Sequence, residues 1–288
     1  MKRSTRLLLL LVFCCLNLAL SAQNPYYTKK IPPAQLQEDF QQYKTVLQII
    51  HPSLYWYTDE ATMQAAYDQV ESQLTTAKTE QEFYSLLAPL TALINCGHTG
   101  TMPSYEARLS FKGRIPLEFF YKAGKLYLFY DYQTQEYPMK EVQSINGKTV
   151  ETLYNQLSRL NGTDGFIETP KSLFFNNSGA FGYRYSLLYP DSTYEVSLKN
   201  GKTLRREAIA SDSLAKISKP FYPTQDFLSY EIRQEDKVAI LTINTFDKGA
   251  LKNAEWKYKK YIKDFFKEIK EEDIQSLIID LSRNGGGE

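Results

Sequence analysis

The sharpest chemical signal in the sequence is Ile278-Ile279-Asp280-Leu281-Ser282-Arg283-Asn284-Gly285-Gly286-Gly287, an apolar run closed by polar residues and three glycines. Such a run places bare backbone at the carboxyl end of a strand, where open α/β sheets bind ligands. Glycine adopts positive φ freely and can aim amide N–H groups at a ligand oxygen. An oxyanion hole or a phosphate cradle uses that property, and so does a tight turn that needs glycine for its geometry alone. A nucleotide loop of the Walker kind is excluded, because no Gly-Lys-Ser/Thr follows. The second signal is Leu93-Ile94-Asn95-Cys96-Gly97-His98-Thr99. An imidazole suits a general base, which makes His98 a candidate; a histidine that packs at a helix end is the plainer alternative. A Cys96–His98 dyad is disfavoured, since residues two apart in a turn rarely align as nucleophile and base. The other histidine, His51, precedes Pro52 at a helix end. Two histidines and one cysteine beyond the N-terminal segment speak against a dedicated zinc site, and Asp59, Asp131, Asp164 and Asp226 lack the spacing of paired catalytic carboxylates. No cofactor is expected.

The elements that must hold these residues are legible in the periodicity. Leu36, Phe40, Tyr43, Leu47 and Ile50 recur at helical spacing, and Pro52 stops that helix at His51. A second helix is predicted from Glu60 to about Ala77, with Thr58 or Asp59 at its cap. Thr79 and Glu82 form a capping-box pattern for a third, with Phe83, Leu86, Leu87, Leu90 and Leu93 facing inward. Residues 109–208 change character: aromatic-rich runs flank Ala123-Gly124, a strand over Glu141–Asn146 ends at Asn146-Gly147, a helix follows over Thr149–Leu160, and a second hairpin turns at Asn200-Gly201. Residues 161–190 read as an extended loop and 211–236 as a connecting stretch. Strand Val238–Phe246, helix Asn253–Ile269 and strand Ser276–Leu281 make a βαβ crossover, which implies a parallel sheet. Two parallel strands leave edges and apolar faces uncovered, so the sheet reads as unfinished.

Residues 1–22 carry the pattern of a secretory signal peptide: Lys2, Arg3 and Arg6, the apolar run Leu7–Leu20, and small Ser21-Ala22 at the cleavage point. About 14 apolar residues fall short of the ~20 that span a bilayer, and bulky Phe13 before Cys14 disfavours lipoprotein processing. Cleavage removes three of the 34 basic residues and none of the 33 acidic ones, leaving a net charge of −2. That balance argues against nucleic-acid and anionic-membrane partners. Cys14 and Cys15 leave with the leader, so an exported, periplasmic or surface protein would hold together through its core with Cys96 unpaired. The 22 tyrosines serve packing or carbohydrate stacking, and composition does not separate the two.

Strand Val238–Phe246, the amphipathic helix after it and the Leu-Ile-Ile-Asp-Leu-x-x-Asn-Gly-Gly-Gly ending resemble the opening of the tail-specific, or C-terminal-processing, serine proteases, most strongly over residues 230–288. Gly97-His98-Thr99 resembles the segment that ends the helical domain in many members. Glu141–Val150, with Ile145-Asn146-Gly147, is similar to a stretch of a PDZ-like domain. The resemblance implies an α+β multidomain chain: signal peptide 1–22, helical domain 23–105, PDZ-like β-rich domain 106–210, linker 211–229, and the start of an incomplete crotonase- or Clp-protease-like α/β core from 230 to 288. It implies a serine-type endopeptidase acting on polypeptides, whose nucleophilic serine lies downstream of the glycine loop and whose base is a downstream lysine or, in the tricorn-like branch, a histidine at the place of His98. The backbone N–H of Gly285 or Gly286 would stabilise the oxyanion, a contribution of about 3–4 kcal/mol. This chain departs from the tricorn-like pattern in having Gly97 where that branch carries a serine and Cys96 where many relatives have Asp. The expectation is therefore the front portion of an exported protease, inactive without its nucleophile. The alternative is a non-catalytic periplasmic or surface protein that binds peptides or glycans.

Overall fold

The computed structural model describes residues 25–110, 113–176, 179–189, 191–211, 213–214 and 226–287. The leader expected over 1–22 and most of the stretch expected as a linker lie outside the described residues. The protein is a mixed α/β chain with several sheets, and it divides into two compact units, Met1–Phe221 and Tyr222–Glu288.

In the first unit, helix α1 (Pro33–Ile50) begins with proline in its first turn and ends at His51, whose backbone is extended ahead of Pro52. Helix α2 (Glu60–Ser72) is capped by Asp59, whose carboxylate accepts the Thr62 N–H at 2.8 Å. Helix α3 (Glu80–Ala92) has the full capping box: the Glu82 N–H donates to the Thr79 hydroxyl at 3.1 Å, and the Thr79 N–H donates to the Glu82 carboxylate at 2.6 Å. The short strands β1 (Lys30–Ile31) and β2 (Lys78–Thr79) pair antiparallel beside these helices. Leu36, Phe40, Met63, Tyr67, Leu74, Leu87 and Ile94 are buried together. Ile50, expected on the inner face of α1, is exposed instead: the last turn of α1 runs past the buried cluster.

The same unit contains an antiparallel sheet of β3 (Leu117–Lys122), β4 (Lys125–Asp131), β5 (Lys140–Ile145), β6 (Lys148–Thr149), β7 (Thr193–Leu198) and β8 (Thr203–Glu207), in the order β3-β4-β5-β7-β8 with β6 paired to β5. Ala123-Gly124 and Asn146-Gly147 both have positive φ at the two turn positions, the backbone that a two-residue hairpin requires. Asn146 does more than turn the chain. Its side-chain amide donates to Asp191 at 2.7 Å and to the Thr193 carbonyl at 3.1 Å, and its oxygen accepts the Glu195 N–H at 2.7 Å, which ties the turn to β7. Helix α4 (Val150–Leu157) follows and continues as a 3-10 turn to Leu160. The region expected as an extended loop holds a helical turn, Thr169–Leu173, and helix α5 (Ala180–Leu188). Phe181, Tyr185 and Leu187 of α5 are buried with Phe119, Leu128 and Val196 of the sheet, so packing overrides the poor helix propensity of a Gly- and aromatic-rich segment.

The second unit orders its strands β11-β10-β9. β9 (Leu228–Arg233) lies antiparallel to β10 (Val238–Ile243), and β10 lies parallel to β11 (Ser276–Asp280), which is the expected crossover. The expected connecting stretch thus ends in a strand. The helix expected over Asn253–Ile269 begins later, as α7 (Tyr258–Glu271), and an unexpected short helix, α6 (Lys248–Asn253), capped by Asp247, precedes it, with Glu255 at φ +59° between them. Leu228, Ala239, Leu241, Ile243 and Phe265 form the core of this unit.

Candidate functional site

The pocket that holds His98 lies within the first unit and has a volume of about 590 Å³. One wall is the end of α1 and the segment after it: Val46, Leu47, Ile50, His51, Pro52, Ser53, Trp56 and Tyr57. The opposite wall is Ile94, Cys96, His98, Thr99 and Gly100, completed by Asp164 from a distant loop. The chain leaves α3 through Asn95, which has positive φ (56°) and whose amide donates to the Thr58 hydroxyl at 3.1 Å and the Leu93 carbonyl at 3.0 Å. The Gly165 N–H donates to the Asn95 carbonyl at 2.8 Å, which brings the 162–166 loop against the 95–99 turn. Gly162 allows this approach, since a Cβ there would lie 3.1 Å from the Cys96 carbonyl oxygen.

The His98 side chain is 90% exposed, and its Nδ1 lies 3.9 Å from Asp164 Oδ1. That Asp164 oxygen accepts the Gly97 N–H at 2.7 Å, so backbone fixes the carboxylate beside the imidazole. A carboxylate on the Nδ1 side orients an imidazole and leaves Nε2 for proton transfer. The 3.9 Å separation is an ion-pair distance, longer than a hydrogen bond, and such contacts tighten when substrate binds. A Cβ at Gly97 would lie 3.2 Å from Asp164 Oδ1, so glycine at this position makes room for the carboxylate. Cys96 is half-buried and unpaired, and one ligand atom each from Cys96, His98 and Asp164 lies within 4.8 Å of the others. His51 is turned to another task, with Nδ1 accepting the Ser53 N–H at 3.2 Å.

Apolar side chains are exposed at the pocket and on the chain segments next to its lining residues. Ile49 and Ile50 of α1, Trp56, Tyr57, Phe166 and Ile167 are all exposed. Trp56 stacks on Tyr57 with ring centroids 6.0 Å apart, and Tyr57 meets Phe166 edge to face at 6.0 Å.

The glycine loop belongs to the second unit, at the carboxyl ends of β10 and β11. Asn284 organises it: its amide donates to the Ile243 carbonyl at 2.9 Å, and its oxygen accepts the Gly286 N–H at 2.7 Å. The Gly286 carbonyl accepts the Phe246 N–H at 2.8 Å. Gly286 and Gly287 have φ of +92° and +132°, and a Cβ at Gly287 would sit 2.1 Å from the Asp247 nitrogen, so only glycine fits there. Of the two proposed oxyanion donors, the Gly286 N–H is thus held by Asn284. Gly285 has open space on its Cβ side, and its N–H has no hydrogen-bond partner among the described residues.

Residues 237–288 match the family model of peptidase family S41. No curated protein matches the chain. Among solved structures, mature CPAF is similar at a TM-score of 0.55 and 14% identity, over 89% of this chain and 56% of that one. CPAF complexed with lactacystin aligns at 0.50 and 14%, over 89% and 57%. The photosystem II D1 C-terminal processing protease aligns at 0.33 and 13%, over 88% and 62%. The chain spans a little over half the length of the CPAF structures it matches, and at this identity the likeness shows a shared fold.

The sequence pointed to His98 and to the glycine triplet. It did not bring Asp164 to the side of His98, nor Trp56, Tyr57 and Phe166 together.

Proposed function

With residues 237–288 in peptidase family S41, the tail-specific proteases, we propose that this chain contributes the front portion of an exported serine-type endopeptidase that acts on unfolded or C-terminally exposed polypeptides. His98 serves as the general base, held in orientation by Asp164, and the Gly285 N–H serves as an oxyanion donor. The nucleophilic serine of the family is assigned to no residue of this chain. The observation that carries the reading is the Gly97 N–H to Asp164 contact beside His98, a carboxylate–imidazole pair at the mouth of a pocket. The apolar side chains exposed at and beside the pocket support the substrate class: unfolded chains present the large apolar side chains that folded proteins bury. The β-rich part with Ile145-Asn146-Gly147 fits a PDZ-like role in presenting a substrate strand, the leader pattern over 1–22 fits export, and no helix among the described residues is long and apolar enough to cross a membrane.

The test joins the chain to an S41 segment that supplies the serine. His98→Ala should lower kcat about 10²- to 10⁴-fold with KM little changed. The unjoined chain should not hydrolyse denatured protein, and hydrolysis lost in His98→Ala would overturn its inactivity. The second reading, a non-catalytic peptide- or glycan-binding protein, draws on the exposed aromatic trio Trp56, Tyr57 and Phe166. It predicts binding that Trp56→Ala weakens and no hydrolysis from the joined protein.

A further inference from the structure

We propose that Cys96, His98 and Asp164 bind one divalent cation of the zinc type. Their ligand atoms lie within 4.8 Å of one another, close enough for side-chain rotation to bring a thiolate, an imidazole nitrogen and a carboxylate oxygen to a common centre at the 2.0–2.3 Å bond lengths typical of zinc. The set is chemically selective. Sulfur and imidazole favour zinc over magnesium or calcium, which take oxygen ligands. Thiolate and carboxylate together balance the charge of the dication, and three protein ligands leave a fourth tetrahedral position open.

The surroundings prepare the site. The Thr99 N–H donates to the Cys96 carbonyl at 3.1 Å, closing a turn that sets Cys96 and His98 on one side. The Gly97 N–H holds Asp164 Oδ1 and leaves Oδ2 for a metal, a fixed outer contact of the kind that orients metal ligands. Binding removes the thiol proton from Cys96 and involves no redox step, so affinity should fall as pH drops. Sequence spacing gave no metal motif because the third ligand lies in a loop 67 residues from Gly97.

A metal here takes the His98 imidazole out of proton transfer, so zinc should inhibit the joined protease; that consequence, unlike the binding itself, rests on the reading of His98 as base. The test titrates the 288-residue chain with cadmium, following the ultraviolet thiolate-to-metal charge-transfer band, and then competes with zinc. One cadmium per chain is expected. Cys96→Ser should abolish the band, His98→Ala and Asp164→Asn should each weaken binding at least about tenfold, and His51→Ala, which alters the same pocket without removing a ligand, should leave it unchanged. No band in the wild-type chain would overturn the proposal. So would a band whose affinity is the same in His98→Ala and Asp164→Asn, since that is a thiol acting alone. Cadmium binding without zinc inhibition of the joined protease would leave the site standing and overturn the role of His98 as base.

Discussion

Strands β7 and β11 are each five or six residues long, yet they sit in opposite circumstances. In β7, Tyr194, Val196 and Leu198 alternate with more exposed neighbours and are fully covered by α5 and the rest of the core. In β11, Leu277, Ile278 and Ile279 are apolar in succession and all exposed, Ile278 and Ile279 by 52% and 53%. Alternation is what an antiparallel sheet with one wet face requires, whereas an unbroken apolar run belongs to a parallel strand covered on both sides. The sheet of the first unit therefore buries in β7 what its sequence pattern offers, and β11 presents apolar surface that the described residues of the second unit leave uncovered. The first unit should behave as an independent fold; the second should be the weaker and stickier of the two.

The largest effects should fall inside each core and so separate the two units. Asp131 is buried, and the Arg206 guanidinium donates to it from Nε at 3.0 Å. Asp131→Ala leaves a nearly buried cation alone and should cost about 3–5 kcal/mol, read as a lower denaturant midpoint for the first unit with amide exchange in β10 unchanged. Burial pushes the Asp131 carboxyl up, but the hydrogen bond from Arg206 and the backbone N–H of Gln133 outweigh it, and its pKa lies below the usual carboxylate value. A depressed pKa stabilises the fold at neutral pH, and this part of the stability should disappear as pH falls from the ordinary carboxylate value, about 4, through the lower folded one. In the Asp131→Ala protein that segment of the acid titration should be absent.

Phe265→Ala should also cost about 3–5 kcal/mol. In a unit whose core is five buried residues, that should abolish protection in β9, β10 and β11 while the first unit stays folded. Protection that survives there would show that the second unit has stability beyond its visible core. Thr79→Ala removes half of a capping box and should cost about 1 kcal/mol, seen as faster exchange in the first turn of α3. The smallest effect on stability is also the sharpest contrast. Ile278→Lys in exposed β11 should change unfolding by no more than about 0.5 kcal/mol and reduce self-association in light scattering, whereas Val196→Lys in β7 should unfold the first unit.

Where chemistry and local spacing act together, the sequence was readable. Thr79 and Glu82 announced their helix start, Asn146-Gly147 announced its turn, and the Ile278–Gly287 run announced a strand ending in a glycine loop. β9 was also legible, since Leu228, Tyr230 and Ile232 alternate with Ser229, Glu231 and Arg233, but nearby Pro220 and Pro223 drew the reading toward a connector. α5 was hidden because Gly182 and three aromatics, Phe181, Tyr183 and Tyr185, argue against a helix until a sheet exists to bury them. The break between α6 and α7 depends on one residue with positive φ, which no periodicity marks. Asp164 was invisible for a different reason: its partner Gly97 offers a backbone N–H and room for the carboxylate from 67 residues away, and no local spacing links the two.

The packing of Gly287 beneath Phe246 and Asp247 has a mechanical consequence. Asp247 caps α6 by accepting the Ala250 N–H at 2.9 Å, and a Cβ at Gly287 would strike the Asp247 backbone. The glycine loop is thus fastened through Phe246, whose N–H donates to the Gly286 carbonyl, to the residue just before the one that caps α6, so a ligand that lifts the loop would pull on the start of that helix. Events at the glycines would then be audible, as changes in helix-end exchange, several residues away from where a ligand touches.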